Sequence, residues 1–243
     1  MNFSALRNAR LFFDTYLPRA AGERVVEIGA EDVGGSIRWA APGNVAFVAV
    51  DFQPGRGSDV VLEDPYRLPL ATRSVDVCVS SSVFEHSEMF WLLFMEIIRT
   101  LKPGGLFYLN VPTNGAYERR PVDCWRFYPD SGKALVKWAA YCGVSVALLE
   151  SFVSAQARDV RNDCVAVFVK DAATAHRHPR RMLDRKADFA NGHVFGARGV
   201  RNYQSRSEDM RRIAALSAEL GRPLPSFADP WRGHDPRRPS GTA

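Results

Sequence analysis

Early in the chain, a carboxylate, a glycine and a second carboxylate fall at spacings that suit a bound nucleoside. In VVEIGAEDVGGS, Val25 to Ser36, a β-branched run ends at Glu27 and opens into Gly29, so a ligand could approach backbone N–H groups before a helix begins near Gly34. About twenty residues on, Asp51 closes a second apolar run, where a carboxylate commonly accepts hydrogen bonds from ribose hydroxyls. By itself this pattern also has a purely structural reading, since glycine turns after strands are common. Further on, His86 in FEH follows another apolar run, and a histidine at the carboxyl end of a strand could take a proton from a hydroxyl. It reads equally as a loop histidine that packs on a ligand or bonds the backbone, and Glu85 beside it could orient the ring or cap the next helix.

A third cluster lies in YERRPVDCWRFYPD. Asp123 could bind a sugar hydroxyl or act as a base, and Arg126 could bind a phosphate or a uronate carboxylate; alternatively the two pair and pin the loop. Trp125 and Phe127 suit either the apolar face of a sugar ring or a hydrophobic lid, Tyr117 offers a hydroxyl, and Asp130 reads as a helix N-cap.

The elements that must position these groups alternate. After an amphipathic segment from Ala5 to Leu17, short β-branched runs alternate with helical patterns, which argues for parallel strands joined by crossover helices. Strands are expected over 24–28, 45–51, 59–62, 75–80, 106–111, 144–153 and 164–170. The helix from Met89 to Leu101, with Met89, Phe90, Trp91 and Phe94 on its packed face, is ended by LKPGG. Only SAQARDVRND separates the last two strands, too little for a helix, so they form an antiparallel hairpin at one edge. Beyond Asp171 the strand pattern stops. One helix is expected over about 207–220, with Ser207 as its N-cap and Gly221 as its stop, followed by a tail expected to be disordered.

This sheet departs from the dehydrogenase pattern and matches the one usual in class I S-adenosylmethionine-dependent methyltransferases. LEDPYRLPLATRSVDVCVSSSVFEH and IIRTLKPGGLFYLNVP resemble that family's stretches around the third, fourth and fifth strands, and with the Gly29 turn they cover roughly residues 24 to 112 in order. PVDCWRFYPD resembles a segment of bacterial methyltransferases often associated with surface polysaccharide and lipid-linked sugar biosynthesis. The resemblance implies a seven-stranded, mostly parallel Rossmann-like sheet with a reversed final strand, helices on both faces, and S-adenosylmethionine as cofactor. It assigns Glu27, Gly29 and Ala30 to the methionine part, Asp51 and Phe52 to the nucleoside, Asp64 and Pro65 with Tyr66 to the adenine, and Ser81 to the reaction centre. His86 and Asp123 become the catalytic candidates, and Tyr117, Trp125 and Arg126 the acceptor-binding ones. One departure stands out: Glu31 occupies a position where the family usually has a small residue. It must turn away from the cofactor's carboxylate, or pair with its ammonium or with Arg38.

The chain of 243 residues is 46% hydrophobic with a formal charge of +5, enough for one sizeable core. The basic excess lies beyond about residue 170, which divides the chain into a methyltransferase domain over 1–170 and a basic extension over 171–243. That extension reads as solvated or as contacting a second copy. Cys78, Cys124, Cys142 and Cys164 are scattered without metal-ligand spacing, so no metal is expected and a reducing, cytoplasmic setting fits. No apolar run approaches the roughly 20 residues that span a bilayer. The expected activity is O-methylation of a sugar or glycan-precursor hydroxyl. Two other classes remain open: a binding or scaffold protein that kept the fold and lost turnover, and a nucleic-acid methyltransferase using the arginine-rich extension.

Overall fold

The computed structural model describes residues 3–30, 36–55, 57–119, 121–157 and 161–221. Within them, β1 (Arg24–Ile28), β2 (Ala46–Asp51), β3 (Val60–Val61), β4 (Val75–Ser81), β5 (Leu101–Pro112), β6 (Val146–Ser154), β7 (Asp163–Lys170) and β8 (Phe189–Val194) form one sheet. The helices are α1 (Phe3–Tyr16), α2 (Phe90–Thr100), α3 (Asp130–Tyr141) and α4 (Glu208–Glu219). The strand order is β3-β2-β1-β4-β5-β7-β6-β8. The first five in that order are parallel, and β7, β6 and β8 each run antiparallel to the strand before them.

Alternation along the strands explains the layers. Cys78, Phe107, Leu109, Ala166 and Phe168 face Phe94, Ile97, Leu135 and Ala139 of α2 and α3. Val77, Val79, Tyr108, Val165 and Val167 face Ala9, Phe12 and Phe13 of α1 on the other side. Both sheet faces are therefore covered, as a mostly parallel sheet requires. In α1 the residues Ala5, Ala9, Phe12 and Phe13 recur at helical spacing and are all buried. At LKPGG the chain passes straight from α2 into β5. Gly104 takes φ +81°, and a Cβ on Gly105 would come within 3.0 Å of the backbone oxygens of Lys102 and Asp76.

The sequence-based expectations need correction at several points. An eighth strand, β8, arises from the segment read as strand-free. FANGHV lacks a β-branched run, and its pairing with β6, from Glu150↔Val194 to Ser154↔Phe189, comes from tertiary docking. The β6–β7 hairpin is antiparallel as expected, but β8 covers β6, so the hairpin is not at the edge. The helix expected to begin near Gly34 falls on residues 31–35, which lie outside the described residues with Glu31, Gly34 and Gly35; among the described residues a single 3-10 turn over Ile37–Ala40 follows β1. Met89 precedes α2 and is exposed, whereas Phe94 is fully buried. Asp130 is not an N-cap: Pro129 already has helical dihedrals, placing Asp130 inside the first turn, where its carboxylate meets Lys133 at 2.8 Å and His193 at 3.2 Å. Ser207 does cap α4, accepting from the Met210 N–H, and Gly221 takes φ +62° just beyond the helix. The tail from 222 onward lies outside the described residues. Among the described residues no helix is long and apolar enough to cross a membrane, and all four cysteines are free.

Candidate active site

The carboxyl ends of β1 and β4 meet at Gly29. Its φ of +76° is left-handed backbone that disfavours a side chain, and a Cβ there would lie 2.0 Å from the Val83 side chain. Gly29 is thus the residue that lets the β4 exit close onto the β1 turn. Its N–H donates to the Val50 carbonyl at 2.9 Å, and Ala30 beside it is buried. Glu27, assigned to the cofactor by resemblance, is spent on the turn: its two oxygens accept from Ser36 Oγ at 2.7 Å and from the Ile37 N–H at 3.0 Å. Burial raises its carboxyl above the usual range while these bonds oppose the shift. Arg38, weighed as a partner for Glu31, is ion-paired with Asp59 and lies over the Phe47 ring.

At the end of β2, Asp51 is almost fully buried, and its Oδ1 accepts from the Gln53 N–H at 3.0 Å. Phe52 beside it is exposed. After β3, Asp64 is half-buried; Oδ1 accepts from the Tyr66 N–H at 2.8 Å, while Oδ2 has no hydrogen bond among the described residues. Pro65 is exposed, and Tyr66 packs on the core with its hydroxyl accepting from the Met89 N–H. Two carboxylates and a glycine turn along one sheet edge therefore match what a nucleoside with a charged tail needs.

The β4 exit and the long loop after β5 are fastened together. The Glu85 carbonyl accepts from the N–H groups of both Cys124 (2.7 Å) and Trp125 (3.2 Å), and Trp125 Nε1 donates to the Ser87 carbonyl at 3.0 Å. His86 Nδ1 meets the Val122 carbonyl at 2.5 Å. Because a carbonyl only accepts, Nδ1 carries the proton, and a neutral ring then keeps its lone pair on Nε2. Nε2 lies 3.9 Å from Glu85 Oε1. The Glu85 carboxyl is buried with neither oxygen hydrogen-bonded among the described residues, and burial pushes it up to about 8.

Asp123 is a different kind of carboxylate. Arg126 binds both of its oxygens and the Glu118 N–H donates to Oδ2 at 2.7 Å, so the Arg126 hydrogen bonds hold it down to about 2. A carboxylate so held is a weak base. Arg126 is equally occupied, since its other bonds go to the carbonyls of Trp125 and Ala116. The pair pins the loop and leaves no free fork for an anion. Trp125 packs edge-on against Phe90 (5.3 Å) and Trp91 (6.1 Å), with Phe127 against Phe90 at 5.1 Å, an aromatic cover anchored to α2. Tyr117 is 74% exposed and makes no hydrogen bond among the described residues.

Sequence reading missed a buried polar network beneath this edge. Asn110 of β5 accepts from Asn8 Nδ2 of α1 at 3.2 Å and donates to Ser81 Oγ at 3.4 Å, while Ser154 Oγ donates to Asn8 Oδ1. Ser81 is therefore coupled to α1. Arg161, also missed, donates to Ser82 Oγ at 2.9 Å. The signal for the first was a polar residue, Asn110, inside an apolar run, and for the second an arginine in the polar connector SAQARDVRND; neither names its partner.

Comparison with known proteins agrees with this geometry. A model described as a methyltransferase domain matches residues 38–109, from the 3-10 turn through most of β5. Among solved structures, the chain superposes on a Burkholderia thailandensis 1,6-didemethyltoxoflavin N1-methyltransferase with a TM-score of 0.52 at 15% identity, over 69% of this chain and 78% of that one. The chain has the class I methyltransferase fold. The cyclase SpnF aligns comparably, with a TM-score of 0.51 at 14% identity over 69% of this chain and 81% of that one, so this fold also houses a protein named for a different reaction. In sequence, an uncharacterised methyltransferase of Mycobacterium ulcerans is 35% identical over 122 residues, covering 44% of this chain and 47% of the relative. One from Mycobacterium tuberculosis is 35% identical over 94 residues, covering 32% and 37%. The chain thus spans less than half the length of these relatives.

Proposed function

We propose that the protein transfers a methyl group from S-adenosylmethionine to a hydroxyl, and that the hydroxyl belongs to a sugar or glycan precursor. The observation that carries the reading is His86. Its Nδ1 is held by the Val122 carbonyl and its Nε2 is left as an acceptor, at the carboxyl end of the strand that packs onto the Gly29 turn. S-adenosylmethionine supplies a methyl carbon whose leaving group is already activated, so the protein's work is alignment, exclusion of water and removal of one proton.

The residues present fit that cofactor. Gly29 permits the left-handed turn after β1 beside which the methionine part would lie, and Asp51 and Asp64 would accept from ribose hydroxyls and an adenine amino group. His86 Nε2 would take the proton of the acceptor hydroxyl, and the Val122 carbonyl would stabilise the imidazolium that results. The aromatic cover, locked by the Asp123–Arg126 pair and the Glu85 carbonyl, would keep bulk water out. The sugar assignment is supported by the resemblance of PVDCWRFYPD to glycan-associated methyltransferases, and a cytoplasmic setting accords with the four free thiols.

Calorimetric titration with S-adenosylhomocysteine tests the cofactor. Micromolar affinity, about −8 kcal/mol, is expected for the wild type, weakened at least tenfold in Asp51→Ala and unchanged in His86→Ala. Transfer of labelled methyl from S-adenosylmethionine to a panel of hexoses and hexose phosphates is then expected in the wild type and lost in His86→Ala. An absence of affinity for either ligand would favour a non-catalytic binding protein that kept the fold.

A further inference from the structure

A cavity of about 450 Å³ lies at the carboxyl edge of the other half of the sheet. That size falls in the range of small-molecule sites, roughly 300–1,000 Å³. It is lined by Thr113 and Asn114 after β5, by the end of β6, by the start of β8, and by residues 204–208 with the first turn of α4. The segment beyond Asp171 therefore builds a wall of this cavity.

Most of the polar groups around it are spent on holding it together. Asn162 Nδ2 and the Gln156 N–H both donate to Glu208 Oε2, at 2.7 and 3.0 Å, and Gln156 Nε2 donates to Asp209 Oδ1 at 3.0 Å. Asn191 exchanges two hydrogen bonds with the Gln204 backbone. Asp188 is paired with Lys186 at 2.9 Å and Arg7 at 3.4 Å. Glu208 also pairs with Arg212, Asp209 keeps its charge under amide donors from Asn114 and Gln156, and two arginines line the cavity. The Arg206 side chain has no hydrogen bond or ion pair among the described residues, and the only side-chain bond of Arg211 within them is to Gln204 Oε1 at 3.5 Å. The rings of Tyr128 and Phe189 also line it.

Two unspent guanidinium groups beside two aromatic rings match one ligand chemistry. A guanidinium binds a phosphate or carboxylate through paired hydrogen bonds, and an aromatic ring packs on the C–H face of a pyranose. The cavity is joined to the candidate active site through one loop, which supplies Thr113, Asn114 and Tyr128 to the cavity and Val122 and Trp125 to His86 and Ser87. Arg126, by contrast, has no fork to offer. We propose that this cavity binds the methyl acceptor and that the acceptor is an anionic sugar, a sugar phosphate or a uronate, held through its charge by Arg206 and Arg211. The inference rests on the O-methylation reading for the word acceptor, but the binding it predicts does not.

The test is titration of the full chain with glucose 1-phosphate, glucuronate, glucose and inorganic phosphate, followed by saturation-transfer NMR. At least one of the two anionic sugars is expected to bind, and which one does distinguishes phosphate from carboxylate. Glucose and inorganic phosphate are expected to bind at least tenfold more weakly. The double variant Arg206→Gln, Arg211→Gln should lose at least tenfold in affinity while melting like the wild type, since neither side chain is packed in the core. Equal binding of phosphate and the sugar phosphate, unchanged affinity in the variant, or no binding of any probe would overturn the proposal. S-adenosylhomocysteine titrated in parallel separates the two readings: its failure to bind wild type sinks methyl transfer, whereas its retention alongside absent sugar binding sinks the cavity assignment alone.

Discussion

The two halves of the sheet are held together by different means. On the parallel side, β3-β2-β1-β4, the strands interlock through apolar side chains, and the site is shaped by backbone turns such as the one at Gly29. On the antiparallel side, β5-β7-β6-β8, buried polar side chains pin distant segments: Asn110 ties β5 to α1, and Glu150 ties β6 to both α1 and the turn before β8. Where connections are crossover units, burial and chain geometry suffice. Where a strand must be recruited from a segment with weak strand character, named hydrogen bonds do the recruiting.

The largest expected effect tests the antiparallel half. Glu150 is fully buried and accepts from the Tyr16 hydroxyl (2.6 Å) and from the N–H groups of Met182 (2.7 Å) and Leu183 (3.0 Å). Glu150→Ala strands two buried donors and one half-buried donor, each costing roughly 1–3 kcal/mol, so a loss of about 4 kcal/mol is expected in denaturant unfolding. A loss below about 1 kcal/mol would mean that apolar burial holds this half as well.

Gly29→Ala tests the parallel half. Left-handed backbone with a Cβ costs roughly 1–2 kcal/mol and overpacking against Val83 a further 1–3 kcal/mol, so about 3 kcal/mol should be lost, together with S-adenosylhomocysteine affinity. Retained affinity in a destabilised variant would separate the turn's structural role from its ligand role.

The smallest effect sharpens the contrast within the shared loop, where two carboxyls shift in opposite directions. Glu85, pushed up to about 8 by burial, is protonated in the fold at neutral pH. Its contribution to stability is complete below the ordinary carboxylate range and is lost as pH rises from there through 8. Glu85→Gln keeps a neutral group at every pH, so its stability relative to wild type should improve by about 2 kcal/mol between pH 5 and pH 6.5. A pH-independent difference would show that Glu85 is ionised in the fold. Asp123, held down to about 2, runs the other way: its contribution is present above the ordinary range and is lost in acid as pH falls through 2.

Much of the fold was legible because strand alternation and glycine turns are local. Seven strands were placed within a few residues of their observed bounds except at β5, which begins earlier, and Ser207 and Gly221 marked α4 correctly. At the carboxyl edge, Gly29, Asp51, Asp64 and His86 follow the strands after which the sequence placed them. The hydrogen bonds of Glu27 and Asp123 were not legible, because each depends on what lies opposite: Ser36 and Ile37 for the first, Arg126 and the Glu118 N–H for the second. β8 escaped because six residues without a β-branched run become a strand only when β6 offers an open edge.

The sequence by itself determined the strand pattern, the glycine at the β1 turn and the chemical types at the strand ends, since these follow from side-chain periodicity and backbone permissiveness. Tertiary structure decided which carboxylates are spent on holding turns and loops, how the His86 ring is oriented, and that the C-terminal segment lines a cavity. Those outcomes turn on hydrogen-bond partners that are distant along the chain, and no local pattern encodes that pairing.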